Sequence, residues 1–509
     1  MTRQAAPDAR VTDQLQRAAR QISDWCDRHA ATLEVSFVLA LFCAAFLVRV
    51  WSLSKVHFWD EVVYLQNAEV LCCGKTNYSE LESRPPLLSV IFALVFRMWH
   101  SVYAADIVTA AMNAAAPALL YVSGRRIIGR AGAVIAALLL AFTPFFVGVF
   151  PAGFDSDNTG NSLLTDSPAL TLILLAFWLF LCALRRESSF RFAGAGFALG
   201  LAVLMRFASL SSAGVLMLLV FAAARWRRAA IASALGFLLA IVPYLCWSRI
   251  HYGGFLETFR RGWRYYEGAR EPPLFLARNF GVIFSWITLA GLVLWLGRWI
   301  WTRHNPGARH NHDFKFAPQR KLETFLWMWA ILLVVFFVAV RHQEPRYAMP
   351  IGLPLFLLAG SGLSALLHFR QPLAKAVGAA LLFTALVYTF LPLRVIFGAP
   401  FIERGASEEM RVAEFLDHNL PPGTILYSNF NYPLFGYYTH LPVYELPEAG
   451  TDLYDALEDL PTDGILIAYK KKEIAADPRP EWLSSHPEFQ PWHEFPSLML
   501  YRFHKSVGR

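Results

Sequence analysis

The sequence predicts an all-α polytopic membrane protein with about eleven transmembrane helices and a small C-terminal α/β domain. Of its 509 residues, 56% are hydrophobic and only 17% are charged, whereas soluble proteins carry about 25% charged residues. Apolar runs long enough to cross a bilayer recur through about the first 390 residues. Charged residues become frequent again in the tail, which indicates a separate domain outside the lipid.

The apolar runs predict the individual spans. The first run follows a polar, amphipathic stretch of the chain and therefore does not resemble a cleaved signal peptide. Two later runs are short and are joined by a tight turn at Phe207. The predicted spans cover residues 33–53, 104–124, 131–150, 166–184, 192–206, 208–224, 229–248, 279–297, 323–341, 348–367 and 375–393.

Basic residues set the predicted orientation. They cluster at alternate ends of the spans and in the N-terminal segment 1–32, which the positive-inside rule assigns to the cytoplasm. The net charge of +8 therefore does not indicate nucleic-acid binding. An odd number of spans then carries the C-terminus to the other side, so we expect a multi-pass protein of the cell's inner (plasma) membrane with an extracytoplasmic tail.

Three regions follow from this topology. Residues 1–32 form a cytoplasmic segment, residues 33–395 a transmembrane domain with a large outer loop at 54–103, and residues 396–509 an extracytoplasmic α/β domain. Within the outer loop we expect a helix along the membrane surface at 61–71 and an interfacial or re-entrant helix at 86–99, which is too short to span.

The tail alternates helix, strand and turn patterns. Helical periodicity marks 408–418, a Pro-Pro-Gly turn ends it, and short apolar runs predict strands. The predicted strands are 424–428, 443–446 and 464–469, with a helix at 453–460. The six cysteines are scattered, apart from the neighbours Cys72 and Cys73, and their spacing implies neither a metal site nor a disulfide framework.

Two adjacent acids, Asp60 and Glu61, follow the first span directly. A carboxylate beside a lipid core loses hydration, which is costly. The pair is therefore either a solvated loop feature or a reaction centre at the membrane face. Three further outer elements favour a reaction centre, namely Arg84, Asp166 at the start of the fourth span, and the stretch 341–347 before the tenth.

Acids beside arginines at a membrane face suit one kind of reaction. A carboxylate accepts a proton from an attacking hydroxyl, and guanidiniums stabilise a departing phosphate. A lipid-linked phosphate ester would be the natural substrate at that depth.

Each of these residues also has a structural interpretation. Arg84 and Arg346 could extend to lipid headgroups, and Asp166 could cap its helix, with or without a catalytic role. His342 fits a structural role better than a catalytic one. Arg264 and Arg270 lie in an aromatic-rich loop, which could face headgroups or supply one arginine to the site.

The ordered set of outer motifs resembles a known family. Asp-Glu-x-x-Tyr ends at Tyr64, Arg-Pro-Pro-Leu begins at Arg84, Thr-Asp-x-Pro contains Asp166, and Arg-Tyr-x-x-Pro begins at Arg346. Together they resemble the GT-C glycosyltransferases. The nearest branch is the protein O-mannosyltransferase-like group (glycosyltransferase family 39), which includes bacterial aminoarabinose transferases acting on lipid A.

The resemblance implies a role for each matching residue. Asp60 is the general base, Asp166 the second acid, and Arg346 with Tyr347 the late-loop phosphate contact. Arg84 replaces the family's lysine, which keeps the charge and adds a bidentate option. Glu61 is expected to orient the site or the acceptor, and Tyr64, Arg264, Arg270 and His342 complete the predicted substrate site.

The resemblance also implies a function. A hexosyl or pentosyl transferase of this kind takes a sugar from a polyprenyl-phosphate carrier and passes it to an envelope acceptor. That acceptor is a glycolipid such as lipopolysaccharide, a glycan or a protein. Val63 stands where the aminoarabinose branch has an arginine, which weakens the case for that donor. No cofactor is required, although Asp60, Glu61 and Asp166 could hold a divalent cation.

A transporter or flippase of lipid-linked sugars is the alternative function. A transporter would place ionisable residues near the membrane midplane and show internal repeats. Here such residues are sparse within the predicted spans, and the sequence has no visible repeat. Membrane lipids are the remaining expected partners. An inactive scaffold of the same family is a weaker alternative, because the acids are intact.

Overall fold

The computed structural model describes residues 29–53, 57, 59–74, 78–148, 165–223, 226–264, 274–304, 317–340, 343–368, 371–394, 408–447, 450–470 and 478–505. These residues form a helical bundle followed by a mixed α/β domain, as the sequence predicts.

The bundle begins with α1 (Ala30–Trp51), α2 (Trp59–Cys73), α3 (Leu87–Met98), α4 (Val102–Gly124), α5 (Gly129–Phe142), α6 (Pro144–Val147), α7 (Asp166–Arg186) and α8 (Ser189–Met205). It continues with α9 (Ser209–Ala223), α10 (Trp226–Tyr252), α11 (Glu257–Trp263), α12 (Phe275–Phe284), α13 (Trp286–His304), α14 (Ala317–Ala339), α15 (Met349–Ser364) and α16 (Pro372–Phe390). Single 3₁₀ turns at Pro345–Ala348, Ala365–Leu367 and Leu391–Leu393 flank the last two.

Each predicted span lies largely on helix in the described part of the chain, although the spans at 131–150 and 279–297 are interrupted at Thr143 and Ser285. Among the described residues, seven helices are long and apolar enough to cross a membrane. Three predicted spans correspond to the shorter α5, α8 and α9. At a rise of about 1.5 Å per residue these cover less than a bilayer's apolar thickness of about 30 Å. The short helix predicted at 86–99 is present as α3, and its interfacial or re-entrant placement stays a prediction.

The expectation of one continuous helix over 279–297 is wrong. The chain breaks at Ser285, where α12 and α13 meet at a bend of 103°. Ser285 has a positive φ of 69°, a conformation that an α-helix cannot contain. Counted as one bent span, α12 and α13 raise the number of candidate spans to eight.

Small residues let the bundle helices approach closely. A side chain at Gly196 of α8 would collide with the carbonyl of Ser233 on α10, and one at Gly236 would collide with the carbonyl of Ala193. The two backbones therefore touch directly, as is common where helices pack within a membrane. This contact fixes the end of α8, from which a site residue extends.

The tail forms α17 (Glu408–Asn419), β1 (Ile425–Ser428), α18 (Tyr432–Tyr438), β2 (Val443–Glu445), α19 (Thr451–Glu458), β3 (Gly464–Tyr469), α20 (Pro480–Ser484), β4 (Phe489–Glu494) and β5 (Leu498–Phe503). The sheet order is β2-β1-β3-β5-β4, with β1, β2 and β3 parallel and with β5 antiparallel to both β3 and β4.

The sheet has a core on each face. Along β3, Ile465, Ile467 and Tyr469 pack with α17 and α18, whereas Leu466 and Ala468 pack with α19 and α20. The whole of β3 is buried, as expected for a central strand covered by helices on both sides. The predicted strands and both predicted helices are present, but α18, α20, β4 and β5 were not predicted.

Candidate active site

The helix α2 carries Asp60 and Glu61 in its first turn, where carboxylates interact favourably with the helix dipole. The sequence predicted a helix along the membrane surface here. In the structure, every residue from Glu61 to Glu69 is buried, because α3 packs on one side of α2 and α18 of the tail on another. The helix is therefore enclosed by protein, which fixes the directions of its acids.

Asp60 lies between two arginines. Its Oδ1 is 3.0 Å from a terminal nitrogen of Arg84, and its Oδ2 accepts a hydrogen bond of 2.6 Å from Arg346. Burial alone would raise the pKa of Asp60, but Arg84 and Arg346 outweigh it and lower the pKa below its usual value. Asp60 is therefore ionised near neutral pH, and each of its oxygens faces one guanidinium.

Each of these arginines also has a glutamate partner of its own. Arg84 donates from Nε to Glu80 at 2.6 Å, and Arg346 forms an ion pair through Nε with Glu344. Both guanidiniums are largely buried and paired with Asp60, so the interpretation that Arg84 and Arg346 only extend to lipid headgroups is wrong.

Asp166 and Arg206 form a second ion pair. Asp166 is the first residue of α7, and its Oδ2 accepts a hydrogen bond of 2.6 Å from Arg206, which directly follows α8. Thr165, not Asp166, is at the N-cap position, so the capping interpretation of Asp166 is wrong. The Arg206 guanidinium also lies 4.8 Å from the centre of the Tyr347 ring, a cation–π contact.

Arg206 was not among the predicted site residues. The sequence contained an indication of it, because this arginine stands alone between two apolar helices at the same outer level as Asp166. Glu80 and Glu344 were also missed as site residues. Their roles depend on contacts to Arg84 and Arg346 that no single motif encodes.

Two tyrosines complete the site. The Tyr64 hydroxyl lies 3.5 Å from Oγ1 of Thr165, and burial raises the pKa of Tyr64 to about 12. The Tyr347 hydroxyl donates to Glu344 at 2.9 Å. Tyr64 therefore stays protonated near neutral pH and can donate a hydrogen bond.

The residues around Asp60 line a polar cavity. We call it the polar cavity; its walls include Asp60, Tyr64, Arg84, Thr165, Arg206, Arg346 and Tyr347. A second cavity shares Arg206 and Tyr347 with it. We call this one the apolar cavity, because most of its remaining wall is apolar, including Leu333, Phe336, Phe337 and Val340.

Glu61 faces away from the polar cavity. Its carboxylate lies 3.8 Å from Nδ1 of His57, and Nε2 of His57 lies 3.7 Å from Asp106 at the start of α4. We call His57, Glu61 and Asp106 the histidine cluster. Burial lowers the pKa of His57, but the neighbouring carboxylates outweigh it and raise the pKa above its usual value. This placement favours an orienting role for Glu61 over direct chemistry.

The remaining predicted site residues are not brought into this arrangement. Arg264 is exposed just after α11, and in the described part of the chain it does not line either cavity. Arg270 and His342 lie outside the described residues. Roles in substrate binding for these three residues stay predictions.

The tail packs directly on α2. The Tyr438 hydroxyl of α18 bonds to both backbone groups of His57, at 2.9 Å each, and Gln66 donates to the carbonyl of Pro433 at 2.8 Å. Trp59 packs against the rings of Phe430 and Tyr432. The tail therefore supports the helix turn that carries Asp60.

Cys72 and Cys73 form a disulfide at the end of α2, which the sequence analysis did not anticipate. His100 lies close to both sulfurs and, within the described ranges, these three residues are the one group with metal-ligand spacing, but a disulfide leaves no thiolate to bind a metal. The acids suggested for a divalent cation instead face different cations. Asp60 faces arginines 84 and 346, Asp166 faces Arg206, and Glu61 faces His57. A divalent cation at these acids stays a prediction.

Comparison with known proteins supports the fold. Residues 83–247 match the model of the family described as dolichyl-phosphate-mannose-protein mannosyltransferase. No curated protein matches the chain by sequence. The structure is similar to that of ArnT from Cupriavidus metallidurans in the apo state, with a TM-score of 0.64 and 15% identity over 93% of this chain and 98% of that one.

Two further structures are similar. ArnT bound to undecaprenyl phosphate gives a TM-score of 0.61 and 15% identity over 93% of this chain and 97% of the other. The archaeal oligosaccharyltransferase AglB from Archaeoglobus fulgidus was solved in complex with an inhibitory peptide and a dolichol-phosphate. It gives a TM-score of 0.63 and 13% identity over 87% of this chain and 70% of that one. The predicted resemblance to the GT-C glycosyltransferases is confirmed, and the chain has their fold.

Proposed function

We propose that the protein is an integral-membrane glycosyltransferase. It moves a sugar from a polyprenyl-phosphate carrier to a cell-envelope acceptor on the outer face of the inner membrane. The observation that carries this proposal is Asp60 between Arg84 and Arg346 at the wall of the polar cavity. That arrangement combines a proton acceptor with two phosphate-binding groups.

The two cavities fit the two halves of such a donor. The polar cavity offers arginines to a phosphate and hydroxyl or carboxylate groups to a sugar, whereas the apolar cavity offers aromatic and aliphatic side chains to a polyprenyl chain. They meet at Arg206 and Tyr347, so the junction between lipid and headgroup would lie there. ArnT bound to undecaprenyl phosphate and AglB with dolichol-phosphate support a carrier of this class.

The proposed reaction needs one proton transfer and one substitution. The acceptor's nucleophilic oxygen or nitrogen attacks the anomeric carbon of the sugar, and its proton passes to Asp60. The bond between the anomeric carbon and the phosphate oxygen breaks, and both bonding electrons leave with the phosphate. Arg84 and Arg346 stabilise the negative charge that develops on that oxygen.

Asp60 must leave its arginines to act as the base. A carboxylate held by two guanidiniums is a weak base, as its lowered pKa shows. A bound carrier phosphate competes for the same donors and frees Asp60, whose basicity then rises. Donor binding therefore prepares the base, and the empty enzyme holds it in a less reactive state.

The tail supports α2 next to Asp60 and has no acid–arginine cluster comparable with the site, which favours a role in positioning the acceptor. A glycolipid, a glycan and a protein are all compatible with an outer-face site. Val63 is fully buried on α2 and carries no charge, so it does not supply what the arginine at this position in the aminoarabinose branch would.

The test is a donor panel. The purified protein is incubated with several polyprenyl-phosphate sugars, with and without a chelator, and release of polyprenyl phosphate is detected. We expect one donor to lose its sugar when a suitable envelope extract is present, and the Asp60→Asn variant to release none above background. The proposal would be contradicted if the Asp60→Asn variant released polyprenyl phosphate from every donor. It would also be contradicted if the wild type released none from any donor with any acceptor.

No second function is proposed. The comparisons give no support to the transporter alternative, and the described ionisable groups of the site gather at one end of the bundle rather than at its middle.

A further inference from the structure

Glu80 is a buried carboxylate held from several directions. It accepts 2.6 Å hydrogen bonds from Arg84 Nε and from the Tyr78 hydroxyl. Its backbone nitrogen donates to the Asn67 side chain of α2 at 2.9 Å, and its carbonyl accepts from the Arg84 nitrogen at 3.0 Å. Among the described residues, this side chain is not part of the wall of the polar cavity.

Glu344 forms an ion pair at the corresponding edge of Arg346. Its carboxylate pairs with Arg346 Nε through one oxygen and accepts from the Tyr347 hydroxyl through the other. Each site arginine therefore has a glutamate at its Nε edge and a terminal nitrogen directed at Asp60. The five side chains form a continuous row in the order Glu80, Arg84, Asp60, Arg346, Glu344.

We infer that Glu80 and Glu344 are positioning residues that fix the two guanidiniums at their Nε edges, so that the opposite edges are directed to the carrier phosphate. This inference rests on the proposed function and extends it. Arginine is a long side chain with a planar fork of donors. A partner at Nε fixes the plane of the fork before substrate arrives, and preorganised donors lose less entropy when they bind.

The charge count explains why fixed arginines are needed. Three carboxylates share two guanidiniums in this row, so a bound phosphate cannot simply be added and must displace Asp60. If nothing else held the arginines, they would follow the departing carboxylate or rotate with it. Because Glu80 and Glu344 hold the Nε edges, the terminal nitrogens of the two arginines stay in place while phosphate replaces Asp60.

The first measurement compares Glu80→Gln and Glu344→Gln with wild type. Glutamine keeps the shape and removes the charge. We expect binding of undecaprenyl phosphate in detergent to weaken about tenfold in each variant, which corresponds to the loss of roughly one charge-assisted hydrogen bond. The donor KM should rise by a similar factor, with a smaller change in kcat. Glu82→Gln is the matched control, because Glu82 lies in the same turn but is exposed and pairs with Arg261.

A double-mutant cycle separates positioning from general structural support. If Glu80 acts through Arg84, Glu80→Gln should have almost no further effect on binding in an Arg84→Ala background. The same holds for Glu344→Gln in Arg346→Ala. A merely structural glutamate would weaken binding equally in both backgrounds. Should Arg84→Ala fail to fold, Arg84→Lys replaces it, because lysine has no Nε edge to hold.

The outcomes distinguish this inference from the function on which it rests. Wild-type protein that does not bind undecaprenyl phosphate overturns the proposed function. The positioning inference alone is overturned if the wild type binds undecaprenyl phosphate and the folded glutamine variants bind it equally well. It is also overturned if the glutamate and arginine substitutions weaken binding additively in the cycle. A thermal unfolding curve on each variant establishes that it is folded.

Discussion

Asp60 and Glu61 are neighbours in sequence, yet their carboxylates enter two different buried networks. Asp60 faces two guanidiniums at the wall of the polar cavity, whereas Glu61 faces the imidazole of the histidine cluster. Successive residues of an α-helix are about 100° apart around its axis, so one helix turn serves both networks. An adjacent acid pair in such a turn therefore need not share one task.

The two networks also differ in what can change their charge. Guanidiniums keep their charge at all physiological pH values, so the polar cavity is altered by a competing anion rather than by pH. Imidazole titrates near neutrality, so the histidine cluster responds to pH. The comparison predicts that substitutions in the Asp60–arginine network lower the rate of sugar transfer. Substitutions in the histidine cluster should instead affect how the tail holds α2.

Replacing Asp60 should have the largest effect. Asp60→Asn keeps the shape but cannot accept a proton, so kcat should fall by a factor on the order of a hundred or more. Glu61→Gln should reduce turnover far less, because that side chain faces His57. Steady-state transfer from the donor found in the panel measures both. The opposite order of severity would exchange the two roles, and near-normal turnover in Asp60→Asn would remove Asp60 as the base.

Replacing Arg206 should have the next largest effect, on stability as well as activity. Arg206→Ala leaves the buried carboxylate of Asp166 without its guanidinium, and loss of one partner of a buried ion pair costs about 3–5 kcal/mol. We expect a lower Tm and weak turnover. The companion variant Asp166→Asn with Arg206→Ala should recover part of the Tm. A Tm unchanged in Arg206→Ala would show that the pair contributes little.

Much of the membrane domain could be predicted because apolar periodicity is local. All eleven predicted spans lie largely on helix in the described residues, since a helix satisfies its own backbone hydrogen bonds in lipid, and two of them are interrupted. The break at Ser285 was missed because it depends on a single residue with positive φ. In the tail, β4 was missed because Pro491 and charged neighbours interrupt the apolar pattern that predicts a strand. An edge strand such as β4 tolerates proline.

The site was only partly predictable for a related reason. Asp60, Arg84 and Arg346 were found because each stands in a short motif at an expected level of the membrane. That Arg84 and Arg346 share one carboxylate follows from packing between elements almost 300 residues apart in sequence, which no local pattern encodes. The same holds for the bond between Tyr438 and His57, which joins the tail to α2.

Removing the Tyr438 hydroxyl should have a smaller effect that sharpens the contrast between the networks. Tyr438→Phe deletes two hydrogen bonds to the backbone of His57, worth about 0.5–1.5 kcal/mol each. We expect kcat to fall several-fold and undecaprenyl phosphate binding to change little. Tyr444→Phe, at an exposed position in β2 of the same domain, is the control. Equal effects of the two variants would mean that the tail does not support the catalytic turn through Tyr438.

The smallest expected effect is the pH dependence of stability that the histidine cluster contributes. The folded protein raises the pKa of His57 above its ordinary value of 6.5, because Glu61 and Asp106 outweigh burial. A raised folded pKa adds stability that is fully present below about pH 6.5 and is lost as the pH rises through the folded value. Wild-type Tm should therefore decline over that range, and Glu61→Gln should flatten the decline by removing one of the two carboxylates. Thermal unfolding in detergent from pH 6 to pH 9 measures both curves. Identical slopes of Tm against pH in the two proteins would show that Glu61 does not stabilise the charged imidazole. Asp60 and Glu61 would then point in different directions, but Glu61 would have no electrostatic partner role of its own.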